Sequence, residues 1–254
     1  MNYDSNCFDT IECRFAITKF TRMRLFASIF LLGLAAKPLQ ATIVLEENFE
    51  DASKFVLLPN TNSPVASLFE NNNDFLTLTN GVGVGTVYTG FGGKFLAAMD
   101  IDDGGQRPNP VNLLWLNRPI TSDMAALTFS GLFAQGYGSF DDTWDNDDRV
   151  ELSYRFKPGG SFTRFLCFRS DRNPTNPVPR ESTDCGYRGD GRALTSYAAL
   201  FTKLIDVPPG ATAVDIRLQI RLGGDGEAIA MDAFLIESSN TEIPTLLTST
   251  APSL

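Results

Sequence analysis

Three observations predict an all-β fold, a two-sheet antiparallel β-sandwich of jelly-roll type preceded by a signal peptide. The first is strict alternation. Val214, Ile216, Leu218, Ile220 and Leu222 fall on one face of a segment whose other face carries Asp215, Arg217, Gln219 and Arg221. Period-2 patterning of this kind marks antiparallel strands with one wet side. The second is punctuation: Asn80-Gly81, Asp103-Gly104-Gly105, Pro158-Gly159-Gly160, Pro208-Pro209-Gly210 and Gly223-Gly224-Asp225-Gly226 recur between the apolar runs as turn signals. The third is that no segment after residue 41 sustains a helical period beyond two turns. Many short strands with no helices between them form a sandwich.

In chain order, residues 1–41 read as an N-terminal extension and signal peptide. Met23-Arg24 opens a basic region, Leu25 to Ala36 is an apolar core of signal length, and Leu39-Gln40-Ala41 offers a small-residue cleavage site. Met23 is the expected start, and the apolar run is short for a membrane span. The predicted domain covers residues 42–237. Its expected strands are 43–49, 75–79, 94–100, 111–116, 127–133, 150–156, 163–169, 199–206, 213–222 and 228–236. From Ser238 the composition turns to Ser, Thr and Pro, which predicts a loose tail over residues 238–254.

After residue 41 the chain holds 16 Lys and Arg against 27 Asp and Glu. That balance argues against nucleic acid or an anionic membrane as partner and suits divalent cations. The whole chain lacks histidine, which removes the usual general base, the His-dependent triads and ordinary zinc sites. Cys167 and Cys185 are the cysteines left after export, and they predict one disulfide.

The most informative single residue is Asp232. It stands in Ala228-Ile-Ala-Met-Asp-Ala-Phe-Leu-Ile236, a run that reads as a strand buried on both sides. A lone buried carboxylate is costly unless a cation, an Arg or backbone N–H groups satisfy it. Calcium is the oxygen-ligand cation such a site suits. Glu46, Glu47, Glu50 and Asp51 crowd the first strand and its exit, and a jelly roll commonly brings first and last strands together. Glu47, Glu50, Asp100 and Asp232 are therefore the candidate metal ligands, with Glu46 and Asp51 expected in solvent. Asp100 and Asp102 share a strand face, but Gly104-Gly105 follows where sandwich glycosidases place a third acid, so a turn or ligand role outweighs catalysis. The acidic run Asp141 to Asp148 lacks the glycine and terminal Glu of an EF-hand; it is a solvated loop or a second, weaker calcium site. Within it Trp144 is the candidate ligand-binding aromatic, unless it tucks into the core. Six arginines from Arg164 to Arg192 either pair with that acidic loop or form an anion-binding surface. Arg188-Gly189-Asp190 reads as a turn.

Glu47-Asn-Phe-Glu-Asp51, Gly93-Lys-Phe-Leu-Ala-Ala-Met-Asp100 and Gly226-Glu-Ala-Ile-Ala-Met-Asp232 resemble, in order and spacing, segments of MAM and related calcium-binding jelly-roll domains of secreted and cell-surface proteins. The chain has fewer cysteines than MAM domains and lacks their aromatic-rich opening. The resemblance implies a recognition or adhesion module with a structural cation held by first- and last-strand carboxylates. The expected function is thus a secreted, non-catalytic module for an extracellular glycan or protein. A sandwich-fold glycan hydrolase and a structural matrix or surface-layer component are the alternatives. Ligand identity and oligomeric state are beyond the sequence.

Overall fold

The computed structural model describes residues 41–58, 74–101, 110–137, 144–173, 177–224 and 226–239. The signal-peptide segment, Asp102, residues 141–143 and all but two residues of the expected tail lie outside them. β1 (Ile43–Glu47) leads through one 3-10 turn, Ala52–Lys54, to β2 (Val56–Leu58). β3 (Phe75–Thr79), β4 (Phe95–Met99), β5 (Val111–Pro119) and β6 (Ala126–Gln135) follow. β7 (Arg149–Lys157), β8 (Thr163–Ser170), β9 (Pro179–Glu181), β10 (Ala199–Asp206), β11 (Ala213–Arg221) and β12 (Ala228–Ser239) complete the described strands.

Two antiparallel sheets result. One runs β10-β6-β12-β4-β3 with β1 joined to β12, and the other runs β2-β5-β11-β7-β8-β9. Every expected strand is present within a few residues of its predicted ends. β2 and β9, three residues each, escaped prediction because alternation needs more length to register. The last strand runs on to Ser239, past the expected start of the tail at Ser238. Ser238 is buried, its N donating to Thr42 O at 2.9 Å and its Oγ accepting from Thr42 N at 2.8 Å.

The core between the sheets follows from the alternation. Val214, Ile216, Leu218 and Ile220 of β11 all point inward at 0% exposure. Phe234 of β12 is the hub of the aromatic packing, with ring centroids 5.2 Å from Phe49, 5.4 Å from Phe129 and 5.5 Å from Phe133. Offset and edge-to-face rings at such spacings add stabilisation beyond their buried area. A second, smaller cluster covers the other face of the first sheet, where Val84, Tyr88 and Phe91 pack on Phe75, Phe95, Ala97, Met99, Ala228 and Ala230. β4 and the first half of β12 are therefore buried on both faces; beyond Asp232 the strand alternates with exposed or half-buried residues. Among the described residues no helix is long and apolar enough to cross a membrane.

Cys167 on β8 is joined to Cys185, whose loop packs over the outer face of the second sheet; the Cα atoms are 5.2 Å apart across 18 residues of chain. Closing a loop of that length stabilises the fold by about 3 kcal/mol on the chain-entropy account. Replacing both cysteines with alanine should lower unfolding free energy in urea by about that amount. An unchanged midpoint, or thiols open to alkylation in the native protein, would contradict the bridge.

Candidate functional site

The long β12 changes partner halfway. On one edge it pairs with β6 along its length. On the other, Ala228 to Met231 pair with β4 and Phe234 to Glu237 pair with β1. Asp232 and Ala233 lie in the gap between those two partners. There the register against β6 shifts, and Ala233 takes φ +51°. The chain leaving β1 and the chain entering β4 meet at the same gap. Phe49 turns the first with φ +51°, and Gly93 opens the second with φ +76°. A Cβ at Gly93 would meet only the mobile end of the exposed Glu50 side chain, so the backbone angle is what calls for glycine.

This gap collects three of the four predicted ligands. Glu47 is fully buried; its Oε1 accepts from Phe49 N at 2.8 Å and its Oε2 from Trp115 Nε1 at 3.0 Å. Glu50 is exposed, and its Oε1 accepts from Lys94 N at 3.1 Å. Asp232 is 5% exposed and its Oδ1 is buried without a hydrogen-bond partner. Burial pushes the Asp232 carboxyl up to about 6; the nearby Glu50 and Glu47 charges push the same way, against a backbone hydrogen bond from Ala233. Among the described residues no Arg pairs with Asp232. An orphaned buried oxygen with two further carboxylate charges nearby is a feature a hard cation would satisfy. Among the described residues, however, these three acids do not bring an oxygen each within 4.8 Å of one another, and both Glu47 oxygens already accept hydrogen bonds.

Two expectations are corrected. Asp100 does not join the other acids, because Met99 pairs with Ala228 while Leu96 pairs with Met231. Asp232 thus sits at the start of β4 and Asp100 just past its end, on the order of 15 Å away at the rise of an extended strand. β4 also stops at Met99 and Asp100 takes φ +38°, so Asp100 has left the strand, while Asp102 lies outside the described residues. Trp144 is 0% exposed within the main core, so its ring has no free face for a ligand to stack on. The polarity of its neighbours suggested a surface position; packing overrode it.

A second acidic group gathers at the opposite end of the β4–β12 ladder. Asp145, Asp148 and Glu227 each bring a carboxylate oxygen within 4.8 Å of the others, an arrangement able to hold a proton or a cation. Asp148 and Glu227 are 2% and 6% exposed, and Gly223 N donates to both, at 3.3 and 2.9 Å. Burial raises both carboxyls above their ordinary range. Glu227 adds to the rise at Asp148, and Asp145 adds to the rise at Glu227. Glu227 went unremarked in the sequence because its partners lie far away along the chain. Such low exposure keeps substrate from the pair, which fits a structural role.

Among the described residues the exposed aromatics are tyrosines. Tyr187, Tyr137 and Tyr197 are 86%, 69% and 66% exposed. Each follows a Gly or Ser in a short loop, at Gly136-Tyr137, Gly186-Tyr187 and Ser196-Tyr197, and that was the available signal. Val87 bridges to Tyr137 and Thr89 to Tyr197. Val87 and Thr89 alternate with the buried Thr86 and half-buried Tyr88, so the two tyrosines and their partners share an outer face. In Arg188-Gly189-Asp190, Asp190 is tied to Thr183 N at 2.9 Å and Arg188 to Asp171 O at 2.9 Å, as a turn requires.

No family model and no curated protein matches the chain; the two-sheet sandwich is the part of the MAM resemblance that the structure bears out. Among solved structures, the CBM22-1–GH10 modules of an endo-1,4-β-D-xylanase 10B from Clostridium thermocellum, complexed with xylohexaose, are 7% identical with a TM-score of 0.43. That match covers 80% of this chain and 30% of that one, so the chain spans under a third of the xylanase. The K1 cleaved adhesin domain of Lys-gingipain from Porphyromonas gingivalis is 14% identical, with a TM-score of 0.40 and coverage of 78% and 99%. A cyclase from Fischerella sp. TAU is 14% identical, with a TM-score of 0.44 and coverage of 79% and 98%. Likeness at this level identifies neither a ligand nor a reaction.

The Asp148–Glu227 pair has a consequence for stability. A carboxyl whose folded pKa is raised contributes stability that is complete below its unfolded pKa and is lost as pH rises through the folded value. In chelator, urea-unfolding free energy should fall as pH rises from about 5 to about 8, and Asp148→Asn should flatten the fall. A wild-type curve that rises over that window would contradict the raised pair.

Proposed function

We propose that this chain is a secreted, non-catalytic recognition module for an extracellular glycan, built around a structural calcium ion. The observation that carries the glycan reading is the shared outer face of Tyr137, Val87, Thr89 and Tyr197. Rings held on hydrogen-bonded backbone lose little freedom on binding, and their apolar faces suit the C–H faces of sugar rings while their hydroxyls stay wet. Val87 N and Tyr137 N each donate to the other's carbonyl, at 2.9 and 3.1 Å, and Ala198 N donates to Thr89 O at 2.7 Å. The platform is therefore braced before any ligand arrives.

Export is supported by the Cys167–Cys185 bridge, a modification of oxidising compartments. Non-catalytic action is supported by the absence of histidine from the sequence and by the burial of the Asp148–Glu227 pair. Calcium is supported by the orphaned Asp232 Oδ1 beside Glu47 and Glu50. The ion would tie the exit of β1 to the gap in β12, with the remaining ligands from backbone carbonyls and water.

A second reading, assembly through a sheet edge, has one observation in its favour. β10 is an outer strand of its sheet and exposes Leu200 at 56% and Leu204 at 63%. A concentration-dependent sedimentation coefficient, abolished by Leu204→Lys, would favour it over glycan recognition.

Two measurements test the main reading. A Tyr137→Ala, Tyr197→Ala double variant should bind neutral oligosaccharides such as xylohexaose at least about tenfold more weakly by calorimetry, with its melting temperature unchanged. Release of reducing ends from any polysaccharide by the wild type would instead identify a hydrolase. For the ion, added Ca²⁺ should raise the melting temperature, with a gain of about 2.7 kcal/mol at a hundredfold excess over Kd. Because binding needs ionised Asp232, calcium affinity should increase as pH rises through about 6. An Asp232→Ala variant that still responds to calcium as wild type does would remove the ion from this gap.

A further inference from the structure

The outer face of the second sheet holds a cavity of about 350 Å³ between the β7–β8 ladder and the disulfide-bound loop, at the low end of the roughly 300–1,000 Å³ common for small-molecule sites. Its charged floor is Arg149 and Glu151 of β7 with Arg164 and Arg169 of β8. The ladder sets Arg149 directly opposite Arg169, a like-charge pairing that destabilises a sheet unless something offsets it. Glu151 offsets only part of it. Its Oε1 takes an ion pair from Arg169 and another from Arg164 at 3.1 Å. Burial lowers the Arg169 guanidinium pKa; Glu151 opposes that, and the charges of Arg149 and Arg164 add to it. Arg149 is left over: its Nε is buried and has no hydrogen-bond partner. A buried guanidinium N–H without an acceptor is unfavourable. That Nε has no room for an acceptor from the cavity, and an anion there would meet the part of the Arg149 guanidinium that lines it.

The wall of the cavity is as specific as its floor. Tyr187 lines it, 86% exposed, two residues after Cys185 of the disulfide. The loop is held at Gly186, whose O accepts from Arg169 Nε at 3.1 Å and whose N donates to Asp184 Oδ1 at 2.7 Å. The same ring also lines a neighbouring cavity of about 670 Å³, where Asp171 and Arg180 are already paired at 3.1 Å. A chain of sugar units could thus lie on both sides of the tyrosine, with charge recognised on the Arg149 side alone.

We propose that this cavity binds the carboxylate of an acidic sugar, with Arg149 as the anchor and Tyr187 as the stacking wall. The inference rests on the glycan-recognition reading and adds a second contact area with its own ligand chemistry. Charge selects a single anionic group. Arg149, Arg164 and Arg169 face Glu151 and Asp147 in the lining, a surplus of one positive charge, and Asp147 is also drawn to Arg221 at 3.5 Å. Densely charged polyanions would meet those two acids and a chain of net charge −9. A planar carboxylate matches the guanidinium fork.

The test is calorimetry with a galacturonate trimer, its methyl ester, xylohexaose and heparin against the wild type, Arg149→Ala, Arg149→Lys, Tyr187→Ala and Tyr137→Ala. The wild type should bind the free acid on the order of tenfold or more above the ester, the increment of a charge-assisted hydrogen bond. Arg149→Ala should erase that preference at an unchanged melting temperature, and Arg149→Lys should restore part of it. Tyr187→Ala should weaken acid and ester alike. Equal affinity of the wild type for acid and ester overturns the inference whether or not the Arg149 variants fold. Retention of the preference in folded Arg149→Ala does so too, as does Arg149-dependent binding of heparin above the trimer. Xylohexaose binding that Tyr137→Ala loses, without any acid preference, removes this inference and keeps the recognition reading. Binding of none of the four removes both.

Discussion

The partner exchange along β12 is the constraint on which the rest of the molecule depends. A twelve-residue strand is longer than either β4 or β1, so one edge of it must be shared between them. Wherever two partners meet on one edge, the ladder is interrupted and its backbone groups need other company. The chain answers with positive φ at Phe49, Gly93 and Ala233, and with carboxylates that reach across the break. Glu47 ties the gap to the core through Trp115, Glu50 ties it to the start of β4, and Asp232 remains with an oxygen to spare. Phe234, two residues beyond, anchors the aromatic core, so the acidic gap and the centre of packing are mechanically one place.

Charge is distributed against the average of the chain. The protein is acidic overall, yet the outer face of β7, β8 and β11 carries Arg149, Arg155, Arg164, Arg169, Arg217 and Arg221. Part of that charge is neutralised locally. Asp215 takes Arg155 at 2.6 Å and Lys157 at 3.3 Å, and the guanidinium groups of Arg155 and Arg217 lie 4.6 and 4.3 Å over the Phe162 ring. Around Arg149 the compensation is incomplete. The acids that could have matched it are spent elsewhere: Asp148 on Glu227, and Glu151 on two arginines at once.

Much of the architecture could be read from the chain because one face of each long strand is buried, and burial imposes period-2 alternation that survives in sequence. β11 and β7 are the clearest cases. The two short strands β2 and β9 had no such pattern to show. Asp232 stood out for the converse reason, a charge where the pattern demanded an apolar residue. Trp144 misled because its acidic neighbours describe the loop and say nothing of the ring, which lies in the core. Asp100 misled because spacing within a strand cannot tell which end of the ladder a residue occupies.

The sequence by itself determined the fold class and the inward and outward faces of the long strands, because these are local periodicities. The pairing of Cys167 with Cys185 was an expectation that the structure bears out. Tertiary structure alone decided which acids meet. Burial raises the Asp232 carboxyl, and Glu47 and Glu50 come near enough to add to the rise only because β1 pairs with the second half of β12. Glu227 reaches Asp148 only because the turn before β12 folds onto the entrance to β7. The same holds for Arg149 opposite Arg169 and for Tyr137 beside Tyr197: each pair is made by strand register, a long-range property that no short window of residues encodes.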